Sequence, residues 1–368
     1  MTTESADGAP ATRHRALYRR FRAQTFSEIV GQAATVTTLR NAVRLGRLGH
    51  GFLFVGPRGT GKTSMARILA KAVNCDAPAD GEPCDRCAPC VAIREGRALD
   101  VIELDAASNN RVDDMRELLP RVYTAAADLR RKVFIIDEVQ RIKEGWDVLL
   151  KTLEEPPDGV LFIFCTTDPG QIRPAVVSRL QRFTFRPLTR EEIAGKLGRI
   201  LAAEERTAEP AAVDAIARLA AGGMRDAESL LDQVLATSAG TIDAGTVGEL
   251  LGLADATLVD AFADALVRGA PLDGIAVLDR IDADGRDAAA FADQVIARLR
   301  EQLMGALRAG TPAEPFARAA RRLGAIDAGR AGPGGIRWQL ELALLDPDSS
   351  AAGFGAGAAS AVAPAVPA

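Results

Sequence analysis

An α/β P-loop fold on a parallel five-stranded sheet, continued by helical segments only, is what the 368-residue sequence predicts. Three observations carry that prediction. First, the glycine-rich loop Gly56-Pro57-Arg58-Gly59-Thr60-Gly61-Lys62-Thr63 stands between an apolar run and an amphipathic helical pattern (Met65, Ile68, Leu69, Ala72). Second, apolar runs of strand length recur at residues 52–55, 101–104, 133–136, 161–164 and 183–185, with helical patterns between them. Near-continuous apolar strands alternating with helices make a parallel sheet covered on both faces. Third, from residue 188 onward such runs stop and only the helical period remains.

In chain order, residues 1–16 are polar and read as a disordered leader with no secretory apolar core. Residues 17–26 mix arginines with aromatics, a pattern that suits either nucleic acid or a packed approach to a nucleotide pocket. The spacing of Val36, Leu39, Val43 and Leu48 predicts a helix over 33–48. The loop at 56–63 has the full GxxxxGK[ST] spacing in its strand, loop, helix context. In such a loop, glycines turn backbone N–H groups towards phosphates, Lys62 reaches the β and γ oxygens, and the Thr63 hydroxyl serves Mg²⁺.

Of the five cysteines, four are close in sequence: Cys75, Cys84, Cys87 and Cys90. In a reducing compartment that spacing reads as a closed, structural zinc site within an insertion at 75–90, rather than as disulfides. Cys165 lies inside an apolar run and reads as a small buried residue. The run at 133–136 ends in Asp137-Glu138, the acids needed to hold Mg²⁺ and to polarise an attacking water. Thr166 and Thr167 end the next run, positioned to feel a γ-phosphate. Arg179 and Arg225 are candidate transition-state and lid arginines.

Helices are predicted over 113–119 and 146–154, with a capping box at 189–192 opening another. Further helices are expected over 213–220 and 226–236, then a longer helical region from 241 to 345. The Ala, Gly, Pro and Ser of residues 346–368 predict a disordered tail. The formal net charge of -4 excludes a globally basic, DNA-coating protein, so nucleic-acid contacts must be local. Two histidines argue against a histidine-centred reaction, and no run is long enough to span a membrane, which predicts a cytoplasmic protein.

Several strings together resemble the bacterial clamp-loader ATPase subunit, the gamma/tau subunit of DNA polymerase III, an AAA+ family. They are residues 17–26, Val30-Gly31-Gln32, the phosphate loop, the four cysteines, Asp105-Ala106-Ala107-Ser108-Asn109, Asp137-Glu138-Val139, and 149–157 with its Glu154-Glu155-Pro156-Pro157. The resemblance implies an AAA+ domain over 17–187, a helical lid over 188–240 and a collar over 241–345 that joins subunits into a hetero-pentameric ring. It implies an ATP-driven motor that opens a sliding clamp and releases it on primer-template DNA. By the same resemblance Lys62 and Thr63 serve phosphate and Mg²⁺, Asp137 and Glu138 form the Walker-B pair, Thr167 is sensor 1, Arg179 a finger acting in trans and Arg225 sensor 2. The Tyr18 and Val30 regions would line the adenine pocket.

Three positions depart from the family pattern: Gln140 stands for a usual histidine, Leu180 for a cysteine, and Glu228 for a small or apolar residue. Little catalytic effect is expected from the first, and altered lid packing from the last. The chain ends before the long extension with which tau forms bind polymerase and helicase, so a short, gamma-like form without that tethering is expected. A ring scaffold that binds nucleotide poorly and another AAA+ DNA motor are the alternatives. Intact Lys62, Thr63, Asp137 and Glu138 argue against the first, and the cysteine module against the second.

Overall fold

The computed structural model describes residues 15–108, 120–142, 145–238, 240–324, 326 and 335–345. Most of the leader, the tail, Asn109 and the helix expected at 113–119 lie outside them. The chain divides into two compact units, Met1–Ala244 and Gly245–Ala368.

In the first unit, strands β1 (Gly51–Val55), β2 (Val101–Asp105), β3 (Lys132–Asp137), β4 (Val160–Thr166) and β5 (Gln181–Thr184) form one sheet. Their order is β2-β3-β4-β1-β5, and every pairing is parallel. Because side chains alternate along a strand, each central strand supplies both faces. Leu53, Phe134, Ile136, Phe162 and Phe164 bury one face with Trp146, Leu149 and Leu153 of the helix Trp146–Glu154. Phe52, Phe54, Val133, Ile135 and Ile163 bury the other with Met65, Ile68 and Leu69 of the helix Lys62–Asn74.

The edge strand β5 begins two residues before the apolar signal at 183, because Gln181 and Arg182 are exposed there and only the backbone pairs. The helix expected over 33–48 is Ala33–Arg44, and a left-handed Gly46 follows it (φ 65°). Leu48 still packs on the core, from the loop. Asp100 holds the turn before β3. It is buried and accepts backbone N–H groups from Ala127, Asp128 and Leu129 at 2.8–3.0 Å. Burial alone would raise its pKa, but those donors and Lys132 outweigh burial and hold the carboxyl below its ordinary value.

After the sheet come the helices Arg190–Ala203, Pro210–Leu219 and Met224–Thr237. The first opens with the expected capping box, in which Thr189 and Glu192 satisfy each other's backbone N–H groups. The arginine-rich segment near the N-terminus packs on these helices. Leu17 is buried, Arg20 pairs with Glu204, and the Lys196 ammonium donates to the Phe21 carbonyl at 3.0 Å. Tyr18, Phe21, Arg22 and Ala23 of this segment line the cleft described below, as a packed approach to a pocket requires.

The second unit is helical among its described residues: Ala256–Arg268, Pro271–Ala283, Ala288–Ala309, Glu314–Gly324 and Gly335–Leu345. The helix Ala244–Leu250 precedes these in sequence. Phe262 and Phe291 meet edge to face, with centroids 5.2 Å apart, in a core with Leu266, Leu278, Val295 and Leu340. No helix among the described residues is long and apolar enough to cross a membrane.

Candidate nucleotide site and cysteine cluster

The loop between β1 and the helix Lys62–Asn74 owes its shape to glycine. A Cβ at Gly56 would meet the Phe185 carbonyl oxygen at 2.3 Å, and Gly61, just before the helix, has φ 97°. Lys62 is only 6% exposed, and its ammonium donates to the carbonyls of Gly56 (2.7 Å) and Pro57 (2.8 Å). Burial pushes its pKa down, against the pull of Cys165, Asp137 and Glu138. One residue on, the Thr63 hydroxyl donates to Asp137 at 2.6 Å, so the end of the phosphate loop touches the acid-bearing end of β3. Asp137 also accepts the Glu138 N–H at 2.9 Å.

These groups line a cleft of about 1190 Å³, together with Arg58, Gly59, Thr60 and Gly61. Asp137, Glu138, Thr167, Tyr18, Val30 and Arg225 all contribute to its lining. The Arg225 guanidinium stands 4.8 Å from the centre of the Tyr18 ring, a cation–π contact that ties the third helix after the sheet to the N-terminal segment. Arg22 also lines the cleft, and burial beside Arg67 lowers its pKa. The Val30-Gly31-Gln32 string has a mechanical role beyond Val30. Gln32 donates to the Arg186 carbonyl (2.7 Å) and accepts its N–H (3.1 Å), holding the chain just beyond β5.

Arg179 does not join the cleft. It follows the short helix Pro174–Val177, and its guanidinium pairs with Glu154 and donates to the Ala175 carbonyl. Gly56 and Pro57 stand behind the cleft as acceptors for Lys62.

Gln140, from which little catalytic effect was expected, is bonded to three residues around the acids. Its amide donates to Glu138 and to the Thr167 hydroxyl (2.9 Å), and its carbonyl accepts the Thr166 hydroxyl (2.7 Å). Thr167 also donates to Glu138 at 3.3 Å. Glu138 itself has a left-handed backbone, φ 49°, which is uncommon for a residue with a side chain. The departure from histidine was visible in the sequence, but its reach to β4 was not.

The ligand atoms of Cys75, Cys84, Cys87 and Cys90 all lie within 4.8 Å of one another, drawn from the end of one helix, a turn, and the helix Ala88–Arg94. Tetrahedral Zn–S bonds of about 2.3 Å set sulfurs roughly 3.8 Å apart, and the Cys75–Cys87 sulfur separation is 3.9 Å. Four soft donors at that spacing fit a closed metal site. Lys71, buried beneath, anchors the module to the N-terminal segment through Asp85 (2.7 Å) and Gln24 (2.9 Å).

Against known proteins, a family model described as DNA polymerase III, delta subunit, matches residues 31–189. A second, described as DNA polymerase III clamp loader subunit, ATPase lid domain, matches 192–240. The chain is 42% identical to the DNA polymerase III subunit tau of Bacillus subtilis, over 79% of this chain and 52% of that one. It is 43% identical to subunit tau of Escherichia coli, over 68% of this chain and 40% of that one. With subunit gamma/tau of Mycobacterium tuberculosis it shares 39% identity over 78% of this chain and 51% of that one. It therefore spans about half the length of these relatives or less.

Proposed function

The chain belongs to the DNA polymerase III gamma/tau family of clamp-loader subunits, and from that premise we propose that it is an ATP-driven motor subunit of a clamp loader. The observation that carries the reading is the 2.6 Å contact of Thr63 with Asp137, which joins the phosphate loop to the catalytic acids in one cleft. Lys62 exchanges its two loop carbonyls for the β and γ oxygens of ATP. Thr63 and Asp137 are hard oxygen donors suited to Mg²⁺, which neutralises phosphate charge when bound. Glu138 orients the attacking water, and Thr167 senses the γ-phosphate. Arg225 couples the nucleotide to the lid of residues 188–240, while Arg179 serves the site of a neighbouring subunit.

In this reading residues 241–345 form the collar of a hetero-pentameric ring in the cytoplasm, acting on a sliding clamp and primer-template DNA. Contacts with DNA phosphates need only a local basic surface, which the net charge of -4 allows. The test is steady-state ATP hydrolysis with partner subunits, clamp and primed DNA. Turnover is expected to rise severalfold when all are present, and Lys62→Ala to bind ATP about 10- to 100-fold more weakly. A wild-type rate indifferent to clamp and DNA would remove the clamp-loading role.

Zinc is the metal proposed for the four cysteines, with a structural role because four thiolates leave no open position. Metal analysis of purified protein should return about one zinc per chain. Cys87→Ser should lose it and lower the melting temperature by several degrees, since metal binding is coupled to folding. Metal-free wild-type protein with an unchanged melt would rule zinc out.

A further inference from the structure

Glu228 lines the nucleotide cleft and is itself buried, at 5% exposure. Burial raises the pKa of its carboxyl, against the charges of Lys196 and Arg22, and among the described residues no side chain donates a hydrogen bond to it. Lys196, from the helix Arg190–Ala203, is already bonded to the Phe21 carbonyl. The carboxylate faces the cleft, so a ligand there that brings a donor can bond it.

Its position along the cleft says which part of the ligand it would meet. The helix Met224–Thr237 starts at the phosphate loop, where the Met224 N–H donates to the Gly59 carbonyl at 3.0 Å. Glu228 is four residues further on, about 6 Å along the axis away from the phosphates. Ile29, Val30, Leu188 and Met224 also line the cleft, apolar surfaces suited to the flat face of a base.

We propose that Glu228 reads the nucleobase, its carboxylate accepting the exocyclic amine of adenine and rejecting the carbonyl that guanine carries at that position. The inference rests on the nucleotide-site reading above and adds a specificity residue to it. An apolar residue here would leave purines to be told apart by other contacts; a carboxylate discriminates because a mismatched base leaves two acceptors facing each other.

The selection depends on pH in a defined direction. Burial raises the Glu228 pKa to about 7, against the opposing pull of Lys196 and Arg22. Burial lowers the pKa of Lys196 itself, while Glu228 and Glu28 raise it and Arg199 lowers it further; Arg225 lies one turn earlier on the Glu228 helix. Above that value the ionised carboxylate accepts from adenine. Below it the neutral acid can donate to the guanine carbonyl, so preference for ATP should shrink from pH 8 to pH 6.

The test is equilibrium binding of ATP, GTP and purine riboside triphosphate, which lacks only the exocyclic amine, to the full chain with Mg²⁺. At pH 8 the wild type should bind ATP about tenfold or more tighter than either competitor. Glu228→Leu should bind ATP and purine riboside triphosphate equally, and Glu228→Gln, whose amide can donate or accept, should lose most of the ATP over GTP preference. Wild-type ratios retained in both variants overturn the proposal, as does an equal shift for all three ligands, which marks a packing role. Failure of the wild type to bind any of the three overturns the nucleotide site and this inference with it.

Discussion

Arg179→Ala is expected to lower ATP turnover in the assembled ring by about 10³-fold or more, while the isolated chain binds ATP as before. The physical reason begins with where the side chain is. Arg179 lies outside the cleft of its own chain, with its side chain 34% exposed and paired to Glu154. A partly exposed pair of that kind contributes about 1 kcal/mol at most. An arginine that meets the charge developing on a transferring phosphoryl group is worth roughly 4–7 kcal/mol. In the proposed trans role, the surface pair costs little to exchange for a neighbouring subunit's nucleotide. Mixed rings give a sharp check, because an Arg179→Ala subunit should impair hydrolysis at its neighbour's site and not at its own. If the loss is below tenfold, or if it follows the mutated subunit's own site, the trans role fails.

Much of the fold was legible because the sheet's central strands are buried on both faces. Runs such as 133–136 and 161–164 then carry a signal that polar surroundings cannot blur. At the edges the signal thins: β5 starts at Gln181, a residue paired through its backbone alone. The phosphate loop and the Asp137-Glu138 pair were legible for a chemical reason, since phosphate and metal ligation restrict residue type and spacing. The bonds of Gln140 were not, because its partners are Thr166 at the end of another strand and Thr167 just beyond it, which meet it only through the sheet order. Glu228 lay between these cases. An acid beside Ala227, Leu231 and Val234 on a buried helix face was visible as a departure. Its exposure to the cleft needed the fold.

Glu138→Gln is expected to cut hydrolysis by about 10²- to 10⁴-fold and leave ATP affinity within a few fold of wild type. A carboxylate can take up part of the proton of an attacking water, and an amide of the same size cannot. The substitution is informative because of how Glu138 is held. Its carboxylate accepts from Gln140 and Thr167, and its backbone is left-handed, so the acid is tied to the residue proposed to sense the γ-phosphate. Glutamine keeps an acceptor oxygen for both donors, so the loop between β3 and Gln140 retains its shape while the base is lost. Single-turnover hydrolysis measured beside equilibrium ATP binding separates the two effects. A fall in turnover of less than tenfold would deny Glu138 the role of base, and a parallel loss of affinity would mean that the carboxylate serves to shape the cleft. Both donors meet the same oxygen, Oε2, which leaves Oε1 of the carboxylate to accept from the attacking water.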